Sequence, residues 1–186
     1  MNLVLVSDIF GNTAALKAFA EKLNAQSIVD PYGGVDMAFN SEQQAYEYFS
    51  QHIGLDEYVA ILQKAIKPLA GNTILIGFSV GASAIWSMSA HPAIKTIAKG
   101  ICFYSSQIRH HTDIQPQFEI ELIFPHYEPH FDVKSLQVEL ATKANVSAKH
   151  VEYLHGFMNP HSSNFNQHAY DKTIAALFQK LGKKCL

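Results

Sequence analysis

Ser79 stands between two glycines in Gly77-Phe78-Ser79-Val80-Gly81, with Thr73-Ile74-Leu75-Ile76 before it and small residues after it. In a strand–turn–helix setting this Gly-x-Ser-x-Gly pattern has a mechanical meaning. The chain turns so sharply that the serine sits strained at the tip with Oγ exposed. Glycines on both sides remove side chains that would collide there. The chemistry is nucleophilic: a serine hydroxyl is weak alone and attacks a carbonyl once a neighbouring base takes its proton. The same five residues also suit a tight strand–helix turn with Ser79 as an ordinary cap, so the rest of the chain decides.

An acid and an imidazole further along supply what a serine nucleophile needs. His126, Glu128, His130 and Asp132 lie in one loop, and His155 opens another. An imidazole accepts a proton near neutral pH and returns it to the leaving group. A carboxylate on its other nitrogen fixes the tautomer and stabilises the imidazolium. The amide of Val80, at a helix start, and that of Ile9 would hold a developing oxyanion. Glu128 competes with Asp132 for the acid role. Asp132 precedes a helix and suits a cap, so Glu128 is preferred. His155 is preferred to His161 because it directly follows an expected strand. Asp8, Phe10, Phe78 and Phe157 are candidates for the pocket wall, although these phenylalanines and Trp86 suit a core equally well. His110-His111 and His126/His130 lack a carboxylate or cysteine at ligand spacing. No metal and no cofactor is expected.

The elements that must position these groups alternate. Strands are expected at residues 2–6, 27–29, 73–77, 99–104, 118–124 and 150–154. Helices are expected from residue 12 or 13 to 24, 41–67 with a break near Gly54, 80–90 stopped by His91-Pro92, 133–143 and 166–181. Leu16, Phe19, Ala20 and Leu23 recur at helical spacing on one face, as do Tyr170, Ile174, Leu177 and Phe178. Alternation of this kind predicts a three-layer α/β/α fold around a mostly parallel sheet of about six strands. Non-alternating apolar strands fit burial on both faces. In such sheets chemistry gathers at the carboxyl ends of strands, where Asp8-Ile9, Ser79, Glu128 and His155 are expected. Nucleophile, then acid, then histidine is the chain order of an α/β-hydrolase.

Composition narrows the rest. The chain has 186 residues, 48% hydrophobic and 16% charged, which fits one globular domain over 1–186. Net charge is -2 and Arg109 is the single arginine, which speaks against nucleic-acid or anionic-membrane partners. Cys102 lies in an apolar run and Cys185 in a basic tail, so no disulfide framework is indicated and a reducing, cytoplasmic setting is expected. Residues 1–6 are too short and uncharged for a signal peptide, and no run reaches the ~20 apolar residues of a membrane span. The expected partner is a small-molecule substrate; the residues leave homo-oligomerisation open.

Three stretches together resemble the dienelactone hydrolase family of the α/β-hydrolase fold: Val6-Ser7-Asp8-Ile9-Phe10-Gly11, Gly77-Phe78-Ser79-Val80-Gly81-Ala82 and His155-Gly156-Phe157-Met158-Asn159-Pro160. The likeness runs from the first strand to the last helix, without the strands that usually precede the first. It implies Ser79 as nucleophile, Glu128 as acid, His155 as base, and the Ile9 and Val80 amides as oxyanion hole. It also implies departures. Type members carry cysteine where this chain has Ser79, glutamate where it has Asp8, and aspartate-proline where it has Glu128-Pro129. They carry a substrate-binding arginine where it has Asn159, so dienelactone itself is not the expected substrate. The expectation is a serine hydrolase for an ester, lactone or thioester, with an open, shallow site. The alternative is a catalytically silent module of the same fold that binds a small ligand or a protein.

Overall fold

The computed structural model describes residues 2–91, 94 and 96–182. Pro92, expected to stop a helix, and Cys185 lie outside the described residues. Six strands form one parallel sheet: β1 (Asn2–Val6), β2 (Ser27–Val29), β3 (Thr73–Phe78), β4 (Ile97–Phe103), β5 (Glu119–Phe124) and β6 (Val146–His150). Their order is β2-β1-β3-β4-β5-β6, with every neighbouring pair parallel. Among the described residues, six α-helices connect and cover them: α1 (Ala14–Lys22), α2 (Glu42–His52), α3 (Gly54–Ile66), α4 (Val80–Met88), α5 (Val133–Ala141) and α6 (Gln167–Lys180).

The sheet has helices on both faces, and strand alternation decides which side chain meets which layer. Val4, Val6 and Leu75 point to one face, into a core with Phe49, Tyr58, Leu62 and Trp86 of α2, α3 and α4. Leu3, Leu5, Ile74 and Ile76 point to the other, against Phe19 and Leu23 of the α1 segment and Ile174 and Leu177 of α6. Both faces are apolar because both are covered. The chain runs from β1 outward to β2, then returns to lay β3 on β1's other side. That reversal is a topological switch point, and it opens a crevice between the carboxyl ends of β1 and β3.

The last strand departs from the sequence expectation. The ladder pairs residues 146–150 with β5, whereas 151–154 are irregular. An edge strand has one neighbour and needs little hydrophobicity, so Val-Ser-Ala-Lys-His suffices there. Val151 and Tyr153, which read as strand, instead pack as partly buried anchors of the connection that follows. Among the described residues no helix is long and apolar enough to cross a membrane.

On β5 the side chain of Glu121 is 8% exposed under α6, where Lys180 bonds it, with Lys149 at 3.0 Å and Lys99 at 3.8 Å. Burial pushes its pKa up, but the bonds from Lys180 and Lys149 outweigh that and hold it below the usual 4.5. A depressed carboxylate adds stability above the unfolded pKa and loses it as pH falls through the folded value. Glu121→Gln is therefore expected to lower the unfolding midpoint at pH 7. The deficit against wild type is expected to close as pH drops below 4.5, measured by thermal melts across pH.

Candidate active site

Ser79 ends β3 and precedes α4 with φ 50° and ψ −114°, a conformation that costs a non-glycine residue about 1–3 kcal/mol. The turn is held from outside. The Ser79 amide donates to the Phe103 carbonyl at 3.0 Å, and the Ser79 carbonyl accepts from Ser83 Oγ at 3.1 Å. A Cβ on Gly81 would lie 2.2 Å from the Ser7 carbonyl oxygen and 2.6 Å from that of Val6. A Cβ on Gly77 would lie 2.6 Å from Ile85 Cδ1 and 2.8 Å from the Ala82 amide. Gly81 thus lets α4 press onto the end of β1, and Gly77 lets it press onto β3.

Although Ser79 occupies the N-cap position of α4, its hydroxyl makes no capping bond. Oγ instead lies 3.0 Å from Nε2 of His155. Nδ1 of that ring lies 2.6 Å from Oε1 of Glu128. The three groups, 27 and 76 residues from His155 along the chain, meet on one rim of the sheet. Glu128 is 6% exposed and the imidazole 29%. The ring is therefore partly accessible while the carboxylate behind it is screened from water.

The structure places the rival residues elsewhere. Asp132 caps α5, its carboxylate accepting from the Ser135 amide at 2.6 Å. The bond from Ser135 holds its pKa below the ordinary aspartate value. His161 is exposed and stacks on Phe10 with ring centroids 5.4 Å apart. His155 does not directly follow a strand, as expected from sequence; it comes five residues after β6 ends. A connection pinned at several points carries it. The Val151 amide donates to Phe124 at 2.9 Å, the His126 amide to Tyr153 at 2.7 Å, and Asn164 Nδ2 to the His155 carbonyl at 3.0 Å.

Loop 7–12 after β1 folds around Asp8. The Phe10 amide donates to Asp8 Oδ1 at 3.0 Å and the Gly11 amide to the Asp8 carbonyl at 3.1 Å. Tyr32 Oη donates to the Ile9 carbonyl at 2.7 Å and so fixes the plane of the following peptide. Among the described residues neither the Ile9 amide nor the Val80 amide has an acceptor. Val80 opens a helix, where free N–H groups favour negative charge.

The cleft at Ser79 is small and is bordered by Asp8, Ile9, Phe10, Tyr104 and His155 among others. Phe78 borders not this cleft but an adjoining pocket. Phe157, expected at the wall, is 1% exposed and packs behind it, its ring 5.5 Å from Tyr104 and 5.3 Å from Tyr153. It bears on the site as a support. Asp8 does reach the site. Burial pushes its pKa up, against Asn159, whose Nδ2 donates to Oδ2 at 2.5 Å, and the Phe10 amide.

Tyr104 is one of two cleft residues that the sequence reading does not single out. It follows β4 directly, sits at φ 40° and places its ring 5.0 Å from that of His155. The available signal was its position at a strand's carboxyl end; its left-handed backbone leaves no mark in the sequence. Glu42, which opens α2 and borders the same cleft, was also missed.

No family model matches the chain. The uncharacterized protein YczH of Bacillus subtilis is 33% identical over 182 residues, spanning 94% of this chain and 89% of its own length. Among solved structures, a dienelactone hydrolase-like promiscuous phosphotriesterase from metagenomic libraries superposes with TM-score 0.68 at 12% identity, over 97% of this chain and 85% of its own. The alpha/beta hydrolase domain-containing protein 10 from mouse gives TM-score 0.66 at 9% identity, over 97% and 89%. At such identities the structural likeness establishes the fold.

Proposed function

We propose, for a chain that belongs to one family with YczH and has the α/β-hydrolase fold of the dienelactone hydrolase-like proteins, a cytoplasmic serine hydrolase acting on an ester, lactone or thioester of a small molecule. The observation that carries this reading is the serine hydroxyl itself. It is held at a strained tip, makes no capping bond and faces Nε2 of a histidine whose other nitrogen is bonded to a buried glutamate.

In this reading Ser79 Oγ attacks the carbonyl carbon as His155 Nε2 takes its proton. The carbonyl oxygen becomes an oxyanion between the Ile9 and Val80 amides, which are already aimed and cost no reorganisation. The bond to the leaving oxygen or sulfur then breaks, and the imidazolium returns the proton to it. Water repeats the sequence on the acyl-serine: His155 deprotonates it, the acyl group leaves as acid, and Ser79 regains its proton. Glu128 accepts from Nδ1–H throughout and stabilises the charged ring. No step calls on a metal or an organic cofactor.

A fluorophosphonate probe tests the reading directly, because it reacts with an activated serine and not with an ordinary one. Labelling is expected at Ser79, located by peptide mass, together with hydrolysis of phenyl acetate. Absence of both would leave the silent binding module as the account of this site.

A further inference from the structure

Helices cover the two sheet faces unequally. Among the described residues α2, α3, α4 and α5 pack on one face, and only α1 and α6 on the other. The strip of β4–β6 beside α6 is left without a roof, and a groove of about 410 Å³ runs there. Its floor is apolar, made by Ile101, Phe103, Ile123, Phe157 and Leu177. One wall is α6 from Lys172 to Lys180, with the small Ala176 midway. The other is Lys149 of β6 and the connection after it, with Val151 and Tyr153. From Lys172 to Lys180 the helix rises roughly 12 Å, the reach of an extended chain of about ten carbons. No residue that borders this groove borders the Ser79 cleft.

One end of the groove is charged. Lys180 from α6 and Lys149 from β6 enter from opposite walls and both bond Oε1 of the buried Glu121, Lys149 at 3.0 Å. Lys99 stands 3.8 Å from the other oxygen of Glu121 and 3.9 Å from the exposed Glu119. Three ammoniums therefore share two carboxylates. An ammonium has three N–H donors, so Lys149 and Lys180 keep donors after bonding Glu121. Their shared anchor is buried, which holds the pair in place. This positive end lies in a chain of net charge -2. An apolar floor that ends between two tethered lysines matches an amphiphile with an anionic head, because bonds between ammonium and carboxylate are stronger than neutral ones.

We propose that this groove binds a free, straight-chain, medium-length aliphatic carboxylate, its head between Lys149 and Lys180 and its chain on Ile101, Phe103, Ile123 and Phe157 beside Ala176. The site is separate from Ser79 and does not depend on the hydrolase reading.

Calorimetric titration of the wild-type protein with decanoate, octanoate, 1-octanol and octyltrimethylammonium tests this. Octanoate is expected to bind about tenfold more tightly than 1-octanol, as a charge-assisted hydrogen bond does over a neutral one. Decanoate is expected to bind about fivefold more tightly than octanoate, for two further methylenes half-buried on the floor. Octyltrimethylammonium is expected not to bind. Lys149 is exposed. Lys149→Gln is expected to weaken octanoate about fivefold and leave 1-octanol unchanged. A merely structural lysine would move both ligands together. Ala176 is exposed on α6. Ala176→Trp is expected to fill the groove and abolish decanoate binding, with fluorophosphonate labelling of Ser79 kept. Equal binding of octanoate and 1-octanol, no binding of either carboxylate at millimolar concentration, or undiminished decanoate binding by folded Ala176→Trp protein overturns the proposal. Flotation with phosphatidylglycerol vesicles in the absence of decanoate binding would make this face a membrane contact and overturn it too. Failure of Ser79 labelling in the wild type would sink the hydrolase reading and leave this ranking of ligands intact.

Discussion

Ser79→Ala is expected to lower kcat on phenyl acetate by about a millionfold, with KM little changed, because the nucleophile is lost and the ground-state contacts are not. The residual rate would be that of water attacking a carbonyl still polarised by the Ile9 and Val80 amides. His155→Ala is expected to cost about as much alone, and the double variant scarcely more, since nucleophile and base act as one unit. The fold gives no reason for collapse. Ser79 Oγ bonds His155 and caps nothing, and alanine carries the same Cβ through the same φ of 50°. Steady-state kinetics beside circular dichroism and a melt separates chemistry from folding. A Ser79→Ala protein that keeps a tenth of the wild-type rate would remove Ser79 from the mechanism.

The elbow was legible before any coordinates because its requirements are local. A strand must end, a serine must take a strained turn, and glycine must sit where a neighbouring backbone comes too close. Gly77 and Gly81 record those contacts, and the Cβ clashes with Val6, Ser7 and Ala82 show which backbone it is. The capping role of Asp132 was legible for a related reason: it directly precedes a helix, and the structure uses it as the cap of α5. The placement of β6 was not legible. Its sequence is nearly polar because an edge strand is paired on one side only, while the more apolar residues 151–154 serve the connection. The preference for His155 over His161 leaned on that misplaced strand. His155 stands near Ser79 because bonds from Val151, His126 and Asn164 pin its loop. Tyr104 was invisible for a third reason. Its left-handed φ and its place beside the His155 ring depend on β4 and the 153–158 segment meeting in space, and no spacing within the chain encodes that.

Glu128→Gln is expected to lower kcat about ten-thousandfold while leaving the fold and the Ser79 elbow in place. Nδ1 of His155 lies 2.6 Å from Oε1; in the proposed mechanism it carries the resting proton, which leaves Nε2 to accept one from Ser79. A glutamine amide can turn its NH₂ toward Nδ1. The ring then shifts its proton to Nε2, the nitrogen that must act as base. The variant also loses the negative charge that offsets the imidazolium when the serine proton arrives. Asp132→Asn provides the contrast. Asparagine caps a helix about as well as aspartate, and Asp132 is committed to Ser135 rather than to an imidazole, so kcat is expected to stay within about twofold. Long-range proton–nitrogen NMR on His155 reads the tautomer itself and distinguishes a wrong proton from a displaced ring. If Asp132→Asn loses activity and Glu128→Gln keeps it, the acid has been assigned to the wrong carboxylate and the 126–132 loop must rearrange before chemistry.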